Sequence, residues 1–241
     1  MRDIRLFTDK ASLSRAVAEA FVARASESER FSVALAGGGT PRLLYELLAT
    51  ECHDRVPWNR IHFFWSDERY VPLDHVESNT RMVRQALLDR VDVPAENIHV
   101  PPVELADPEE AAGRYEEDLR RFFGSGEPRL GWVLLGLGED GHLASLFPGS
   151  PSLEESDRWV IAVKDSPKPP PVRLTMTLPI INHAAGIHFL VAGPGKAAAL
   201  SSTLEAPQDP ARLPAQGVRP INGTLTWWLD EQAASKLNPS K

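Results

Sequence analysis

The sequence predicts an α/β protein with a Rossmann-like, doubly wound and mostly parallel sheet that is flanked by helices. Short apolar runs, which suit strands buried on both faces, alternate along the chain with helical segments. Several of these runs stop abruptly at glycine or polar residues, as strands do where the chain turns into a helix. Because no repeat, low-complexity tract or clear linker interrupts the alternation, we expect residues 1–241 to form a single domain.

The first half of the chain carries recognisable helix and strand signals. Asp9 or Ser12 suits the N-cap of the first helix, and Thr40 suits the N-cap of the second. The predicted elements are a helix over 12–25, a strand over 31–36, a helix over 42–48, a strand over 61–65, a helix from 78 or 79 to 88, a strand over 97–100 and a helix over 108–123.

The second half continues the same alternation. Its predicted elements are strands over 132–135 and 159–163, an extended loop over 166–171, strands over 172–178 and 187–191, a helix over 197–204 and a last helix over 224–237. The strand over 172–178 alternates apolar with polar side chains, which predicts that it is half-buried. Trp227 and Trp228 would pack the last helix.

Composition limits the possible partners. The 42% apolar content is typical of a soluble globular protein, and the net charge of −7 argues against nucleic acid as a partner. No apolar run approaches the length of a membrane span, and the N-terminus has no segment suited to a signal peptide. The single cysteine, Cys52, cannot form an intramolecular disulfide, and Cys52-His53 lacks further metal ligands nearby. We therefore expect a cytoplasmic protein, monomeric or weakly homo-oligomeric, with a small-molecule substrate and no metal.

The strand over 132–135 ends in a glycine-rich turn that contains an acid and a histidine. The pattern G-x-G-x-x-G over 136–141 formally fits a dinucleotide fingerprint, but Glu139 and Asp140 within it would repel a pyrophosphate. Ligands of open α/β sheets bind at the carboxyl ends of the strands, so His142 is placed to act as a general base. The alternative is a tight turn in which His142 is only structural.

A second glycine turn follows the strand over 31–36 and leads directly into a predicted helix. Free backbone N–H groups at Gly38, Gly39 and Thr40, together with the helix dipole, would favour a bound anion. An ordinary strand-to-helix turn is the alternative, although three successive glycines are more than such a turn requires.

Charged residues stand at the ends of other predicted strands. Asp67, Glu68 and Arg69 follow the strand over 61–65, where a solvated salt-bridge cluster is the alternative to a functional role. Arg173 and Lys196 also lie beside strand ends. Gly195-Lys196 partly resembles a P-loop, but the first glycine and the Ser/Thr that such a loop requires are missing, so a nucleoside triphosphate site is rejected.

An ordered set of motifs gives the chain a family resemblance. The motifs are AGGGTP at 36–41, WSDER at 65–69, ESN at 77–79, GLGEDGHLASLFP at 136–148, RLTMT at 173–177, GK at 195–196, QGV at 216–218 and WLD at 228–230. With them the chain resembles the 6-phosphogluconolactonases of the glucosamine/galactosamine-6-phosphate isomerase superfamily over nearly its whole length. The motif at 136–148 is specific, and the ordered set is stronger than any one part.

The resemblance implies a Rossmann-like enzyme that hydrolyses 6-phospho-D-glucono-1,5-lactone to 6-phospho-D-gluconate, the second step of the oxidative pentose phosphate pathway. It implies no metal and no organic cofactor. Lactonases of this kind usually read Gly-Gly-Ser-Thr-Pro at the first glycine turn. If the serine position falls at Gly39, one hydroxyl contact to the phosphate is missing, and backbone N–H groups and Thr40 must suffice.

The residues at the strand ends fit this chemistry. A sugar phosphate dianion needs cations beside the glycine turn, for which Arg173 and Lys196 are the best candidates. His142 would activate water, and Asp140 or Asp67 would orient it or hold sugar hydroxyls. A role in substrate or oxyanion binding suits Arg69. Since no serine lies in a G-x-S-x-G motif, direct attack by water is favoured over an acyl-enzyme.

Three other functions were weighed against hydrolysis of a lactone. An amino-sugar-phosphate isomerase or deaminase would resemble this chain at the Asp-Gly-His turn, but such relatives carry a glutamate where this chain has Phe147. A non-catalytic sugar-phosphate sensor would keep the cations and the glycine turn, yet could dispense with His142 and Asp67. A nucleotide-dependent dehydrogenase would have to bind nicotinamide.

Overall fold

The computed structural model, which describes residues 2–238, contains alternating strands and helices. The strands are β1 (Arg2–Phe7), β2 (Phe31–Leu35), β3 (Ile61–Trp65), β4 (Asp67–Arg69), β5 (Trp132–Leu135), β6 (Val160–Val163), β7 (Arg173–Met176), β8 (Gly186–Val191) and β9 (Thr224–Asp230). The helices are α1 (Lys10–Ser26), α2 (Gly39–Thr50), α3 (Asn79–Ala86), α4 (Pro108–Phe123), α5 (Leu178–Asn182), α6 (Ala197–Glu205) and α7 (Glu231–Ala234).

Six strands form one parallel sheet in the order β1-β9-β8-β5-β2-β3. The chain moves outward from β2 to β3, returns to the other side of β2 with β5, and continues outward through β8 and β9. The direction of winding therefore changes between β2 and β5, which is where open α/β sheets bind their ligands. The two glycine turns of the sequence follow these two strands.

Helices cover both faces of this sheet, which confirms the doubly wound prediction. On one face, Val33 and Leu134 belong to a core with side chains of α1, α2 and α3. On the other face, Ala34 and Val133 belong to a core with side chains of α4, α5 and α6. Successive side chains of a strand point to opposite faces, so strands buried on both faces read as continuous apolar runs.

A smaller antiparallel sheet, in the order β4-β7-β6, carries other candidate site residues. In it Asp67 pairs with Thr175, and Arg69 pairs with Arg173. The prediction of a half-buried strand over 172–178 is wrong, because all four residues of β7 are buried. One reason is that α4 packs against this sheet; the other is that Arg173 faces a cavity instead of open solvent.

The predicted last helix over 224–237 is wrong in its larger part. Residues 224–230 form β9, which pairs with β1 on one side and β8 on the other, and only α7 is helical. The segment TLTWWLD is rich in β-branched and aromatic residues, which favour strands. Trp227 stacks on Phe189 of β8 with 4.0 Å between the ring centroids, so sheet pairing and packing decide the conformation. The edge strand β1 was not predicted.

Local signals were more reliable for caps than for short strands. Asp9 caps α1 and Ser78 caps α3, each by accepting a hydrogen bond from a first-turn N–H. The predicted strand over 97–100 makes only an isolated bridge between Ile98 and Phe63. Two prolines follow this bridge at once and lack the N–H groups that would extend it. Within residues 2–238, no helix combines the length and apolar character that a membrane crossing requires.

Candidate active site

A cavity of about 280 Å³ opens at the carboxyl ends of the parallel strands, near the change of winding between β2 and β5. Every predicted site residue except Asp140 lines this cavity, and Asp140 is hydrogen-bonded to His142, which does. The predicted residues on the wall are Gly38, Gly39, Thr40, Asp67, Arg69, His142, Arg173 and Lys196. Residues far apart in sequence are thus brought to one place.

His142 and Asp140 form a hydrogen-bonded pair at the turn after β5. Nδ1 of His142 lies 2.5 Å from Oδ1 of Asp140, and the backbone N–H of His142 donates to the same oxygen at 3.2 Å. Gly138 permits this geometry, because a Cβ at that position would overlap Nδ1 of His142. Gly141 has a φ of +85°, a conformation that glycine adopts without strain. The glycines of this turn therefore serve the pairing of acid and base.

The surroundings of the pair set its protonation. Burial lowers the pKa of His142 below its ordinary value, although Asp140 acts to raise it. Burial acts to raise the pKa of Asp140, but the hydrogen bond and charge of His142 and the charge of Lys168 outweigh it, and the pKa is lowered. At neutral pH the carboxylate is therefore ionised and the imidazole is neutral. Because an ionised carboxylate only accepts, Nδ1 carries the proton and Nε2 is the basic nitrogen.

Asp67 is held in a buried network that sequence reasoning did not foresee. Its Oδ2 accepts a hydrogen bond from Oγ of Ser145 at 2.7 Å and lies 4.0 Å from Nη1 of Arg173. Nδ2 of Asn79 donates to the backbone oxygen of Asp67 at 2.9 Å and to its Oδ1 at 3.3 Å. The backbone N–H of Ser145 donates to Oγ1 of Thr175 at 3.1 Å. Ser145, Asn79 and Thr175 all lie within the motifs that carry the family resemblance, which was the available signal.

Glu68 is a buried acid at the N-terminus of α3, so the alternative of a solvated salt-bridge cluster is wrong for this residue. Its carboxylate accepts backbone N–H groups of Asn79 at 2.7 Å and Thr80 at 2.6 Å. It also accepts the N–H of Arg69 at 2.7 Å. Burial raises the pKa of Glu68, against hydrogen bonds that lower it. Glu68 thereby fastens the segment between Asp67 and Arg69 to α3.

The glycine turn after β2 starts one residue earlier than predicted. Gly38, and not Thr40, is the N-cap of α2, and its φ of +103° is one that glycine favours. Gly39 and Thr40 form the first turn of the helix, whose N–H groups have no acceptor within the helix. The hydroxyl of buried Tyr45 bonds the backbone N–H and oxygen of Ala36 at 3.0 and 2.9 Å and holds the turn in place. This start suits an anion.

Three cations border the cavity, and they differ in their existing contacts. Arg173 uses Nε and Nη2 to donate to carbonyl oxygens of residues 168–170. Arg69 donates from Nη1 to the carbonyl oxygen of Glu77 at 2.6 Å. The ammonium of Lys196 has no hydrogen bond or ion pair with any other residue of the described range. Lys196 is therefore the cation most available to a ligand.

The turn that carries Lys196 is anchored by Asp230, another residue that sequence reasoning did not assign to the site. The backbone N–H of Gly193 lies 3.0 Å from both carboxylate oxygens of Asp230. The same carboxylate caps α7 by accepting the N–H of Ala233 at 2.7 Å. Asp230 ends β9, so the strand that was predicted as a helix helps to place the cation.

Phe147 fills the place beside the histidine where isomerase relatives carry an acid. Its ring is buried, and its centroid lies 4.6 Å from that of His142. The guanidinium carbon of Arg173 lies 5.8 Å from the same ring. An apolar ring here offers no group for proton transfer.

Known proteins resemble the chain over most of its length. A family model described as glucosamine-6-phosphate isomerases/6-phosphogluconolactonase matches residues 8–227. A 6-phosphogluconolactonase of Synechocystis sp. is 46% identical over 217 residues, which cover 89% of this chain and 88% of the relative. A 6-phosphogluconolactonase of Mycobacterium tuberculosis is 42% identical over 213 residues, which cover 85% of this chain and 84% of the relative.

Solved structures share the fold. The 6-phosphogluconolactonase from Trypanosoma cruzi superposes with a TM-score of 0.86 and 31% identity, covering 99% of this chain and 97% of that one. A monomeric glucosamine-6-phosphate deaminase superposes with a TM-score of 0.80 at 24% identity, covering 97% and 99%. The second likeness concerns the fold alone.

Proposed function

Because the chain belongs to the glucosamine-6-phosphate isomerase/6-phosphogluconolactonase family, we propose that it hydrolyses 6-phospho-D-glucono-1,5-lactone with His142 as the general base. Relatives named 6-phosphogluconolactonase, at 46% and 42% identity over most of both chains, support the substrate. The observation that carries the mechanism is the hydrogen-bonded pair of His142 and Asp140 at the cavity. The product, 6-phospho-D-gluconate, places the reaction second in the oxidative pentose phosphate pathway.

The reaction needs one base that also returns its proton. Nε2 of His142 takes a proton from water while the water oxygen bonds to the lactone carbonyl carbon. The tetrahedral intermediate then collapses, the bond from that carbon to the ring oxygen breaks, and the ring oxygen takes the proton from Nε2. Asp140 stabilises the imidazolium that exists between the two transfers. The lactone is an activated ester, so no covalent intermediate is required.

The remaining wall of the cavity suits the rest of the substrate. The first-turn N–H groups at Gly39 and Thr40, preceded by the Gly38 cap, and the ammonium of Lys196 would bind the phosphate. Arg69 would support the phosphate or the carbonyl oxyanion, with Nη1 of Arg173 as a further donor. Asp67 would accept hydrogen bonds from sugar hydroxyls. The volume of about 280 Å³ suits one small ligand.

A coupled assay tests the proposed function. The lactone is generated in situ with a glucose-6-phosphate dehydrogenase, and its decay is followed with the wild type, with a folded His142→Asn variant and without protein. We expect accelerated decay only with the wild type. No acceleration, combined with retained binding of 6-phosphogluconate, would indicate a non-catalytic sugar-phosphate sensor. Because Phe147 replaces the acid of the isomerases, we expect no ammonia release from glucosamine 6-phosphate; release at an enzymatic rate would indicate a deaminase. Titrated NADPH should keep its fluorescence.

We further propose that residues 1–241 act as one cytoplasmic domain, as a monomer or weak homo-oligomer. The single cysteine, Cys52, is buried and unpaired, which suits a reducing compartment. Both hydrophobic cores share the same parallel sheet, which supports a single folding unit. Sedimentation equilibrium across a wide concentration range tests the oligomeric state, and a tight dimer would contradict it.

A further inference from the structure

The loop over 166–171, called the proline loop below, is held at the rim of the cavity by a buried side chain. Arg173, which is 4% exposed, donates to the carbonyl oxygens of residues 168–170 at 3.0–3.1 Å. Oγ of Ser166 closes the loop by donating to the oxygen of Lys168 at 2.9 Å and accepting its N–H at 3.2 Å. The backbone of Lys168 is therefore fixed from two sides, and most donors of Arg173 are committed to this task.

The side chain of Lys168 reaches the acid that pairs with the proposed base. Its Nζ lies 3.6 Å from Oδ2 of Asp140. The other oxygen of the same carboxylate, Oδ1, accepts Nδ1–H of His142. Each oxygen of Asp140 thus has its own cationic or donating partner, and the carboxylate is held between a lysine and a histidine that lie on different loops.

The charges that face His142 act in opposite directions. Burial is the largest cause of its lowered pKa; Asp140 and Asp67 act to raise the pKa, whereas Lys168 acts to lower it. Lys168 also acts to lower the pKa of Asp140, together with His142. The ammonium therefore favours an ionised Asp140 beside an unprotonated imidazole, which is the state that a general base needs.

We propose that Lys168 is a positioning residue for the base: it holds Oδ2 of Asp140 so that Oδ1 stays aligned with His142, and Arg173 holds the proline loop that presents it. This inference rests on the proposed role of His142. It assigns Arg173 a task beyond contact with the phosphate, since only its Nη1 is left for a ligand. It also assigns a role to the proline loop, which the sequence motifs left without one.

The test compares Lys168→Met, Lys168→Arg and Lys164→Met with the wild type. Lys164 is the matched control, because its Nζ lies 3.4 Å from Oε1 of Glu109, outside the cavity, and it is similarly exposed. For Lys168→Met we expect kcat to fall roughly two- to fivefold, the size that a partly exposed ion pair allows. The acid limb of kcat/KM should move to higher pH, because His142 binds a proton more readily without the neighbouring charge. Lys168→Arg should restore both, and Lys164→Met should change neither.

An NMR titration of the His142 imidazole reads the same shift without any catalysis. We expect its pKa to rise in Lys168→Met, and the difference from the wild type to shrink at high ionic strength, since salt screens an exposed charge. An unmoved imidazole pKa and acid limb would overturn the inference, even if kcat or the melting temperature fell, because a purely structural loop would give that result. If instead His142→Asn kept near-wild-type kcat, the proposed function itself would fail, and the titration of Lys168→Met would still report on the contact.

Discussion

The side-chain amide of Asn79 lies directly against the backbone of Gly37, so that a Cβ on Gly37 would overlap Oδ1 of Asn79. The contact joins the turn after β2 to the start of α3. Since Nδ2 of Asn79 also holds the backbone oxygen of Asp67 at 2.9 Å, the glycine turn and the acid of the cavity wall share one support.

Gly37→Ala should therefore displace Asn79. We expect a loss of about 1–3 kcal/mol in unfolding free energy, as for other overpacked positions, and lower activity because Asp67 loses its support. Gly113→Ala in α4 is the control, since Gly113 is exposed and has open space around its Cα. Alanine in that helix should stabilise the protein by up to about 1 kcal/mol. Urea denaturation of both variants checks this, and equal stabilities would contradict the contact.

His142→Asn should fold normally, keep its affinity for 6-phosphogluconate and lose about 10²–10⁴-fold in kcat. In the wild type, kcat/KM should decline as pH falls through the pKa of His142, because the protonated imidazole cannot accept a proton from water. Burial lowers that pKa, so the decline should be centred below the ordinary histidine value of about 6.5. Initial rates between pH 5 and 8, corrected for spontaneous hydrolysis, provide the measurement. A folded variant with lower thermal stability and intact kcat would make His142 structural and Asp67 the next candidate.

Lys196→Ala should raise KM for the phosphorylated lactone by about 10- to 100-fold, the worth of one charge-assisted contact. The reason is that its ammonium borders the cavity without a partner among residues 2–238. Unphosphorylated gluconolactone, a poor substrate without the phosphate, should be affected little. Lys236→Ala removes an exposed lysine outside the cavity and serves as control. Equal efficiency of the wild type on both lactones would sink the phosphate assignment.

Gly39→Ser restores the residue that related lactonases usually carry in this turn. Nothing lies within 4 Å of a Cβ placed on Gly39, so a serine fits without displacement. Its hydroxyl should add one hydrogen bond to the phosphate and lower KM about two- to tenfold. Gly38→Ser is the contrast, because the φ of +103° at Gly38 strains any other residue. A Gly39→Ser protein with unchanged KM would show that the phosphate lies elsewhere.

His188 should make the fold sensitive to acid. Burial lowers its pKa to about 3, and its Nδ1 accepts Nε1–H of Trp228 at 3.2 Å. The unfolded chain binds a proton below about pH 6.5 while the folded chain does not, so stability should fall by about 1.4 kcal/mol per pH unit between about pH 6.5 and 3. His188→Asn keeps an acceptor for Trp228 and should remove this slope. Urea denaturation at pH 7 and pH 5 measures it, with His75→Asn at an exposed site as control. Parallel slopes for wild type and His188→Asn would refute the prediction.

Local sequence signals were sufficient for the helices with clear caps and for the central strands. The bounds of α4 agree with the prediction, and Asp9 and Ser78 cap their helices as predicted. Position after a strand was sufficient to gather the site, because the carboxyl ends of parallel strands meet at one edge of a sheet. The chemical roles of the gathered residues stay predictions until the variants are measured.

The sequence by itself determined which residues could be buried, where the chain turns and which side chains stand at the strand ends. Only the tertiary structure decided that residues 224–230 are a strand, because β1 and β8 supply the backbone partners from either end of the chain. Only the tertiary structure placed Ser145 on Asp67 and Lys168 on Asp140. Hydrophobic periodicity and capping act between near neighbours in sequence, whereas strand pairing and buried polar contacts join residues whose separation leaves no local trace.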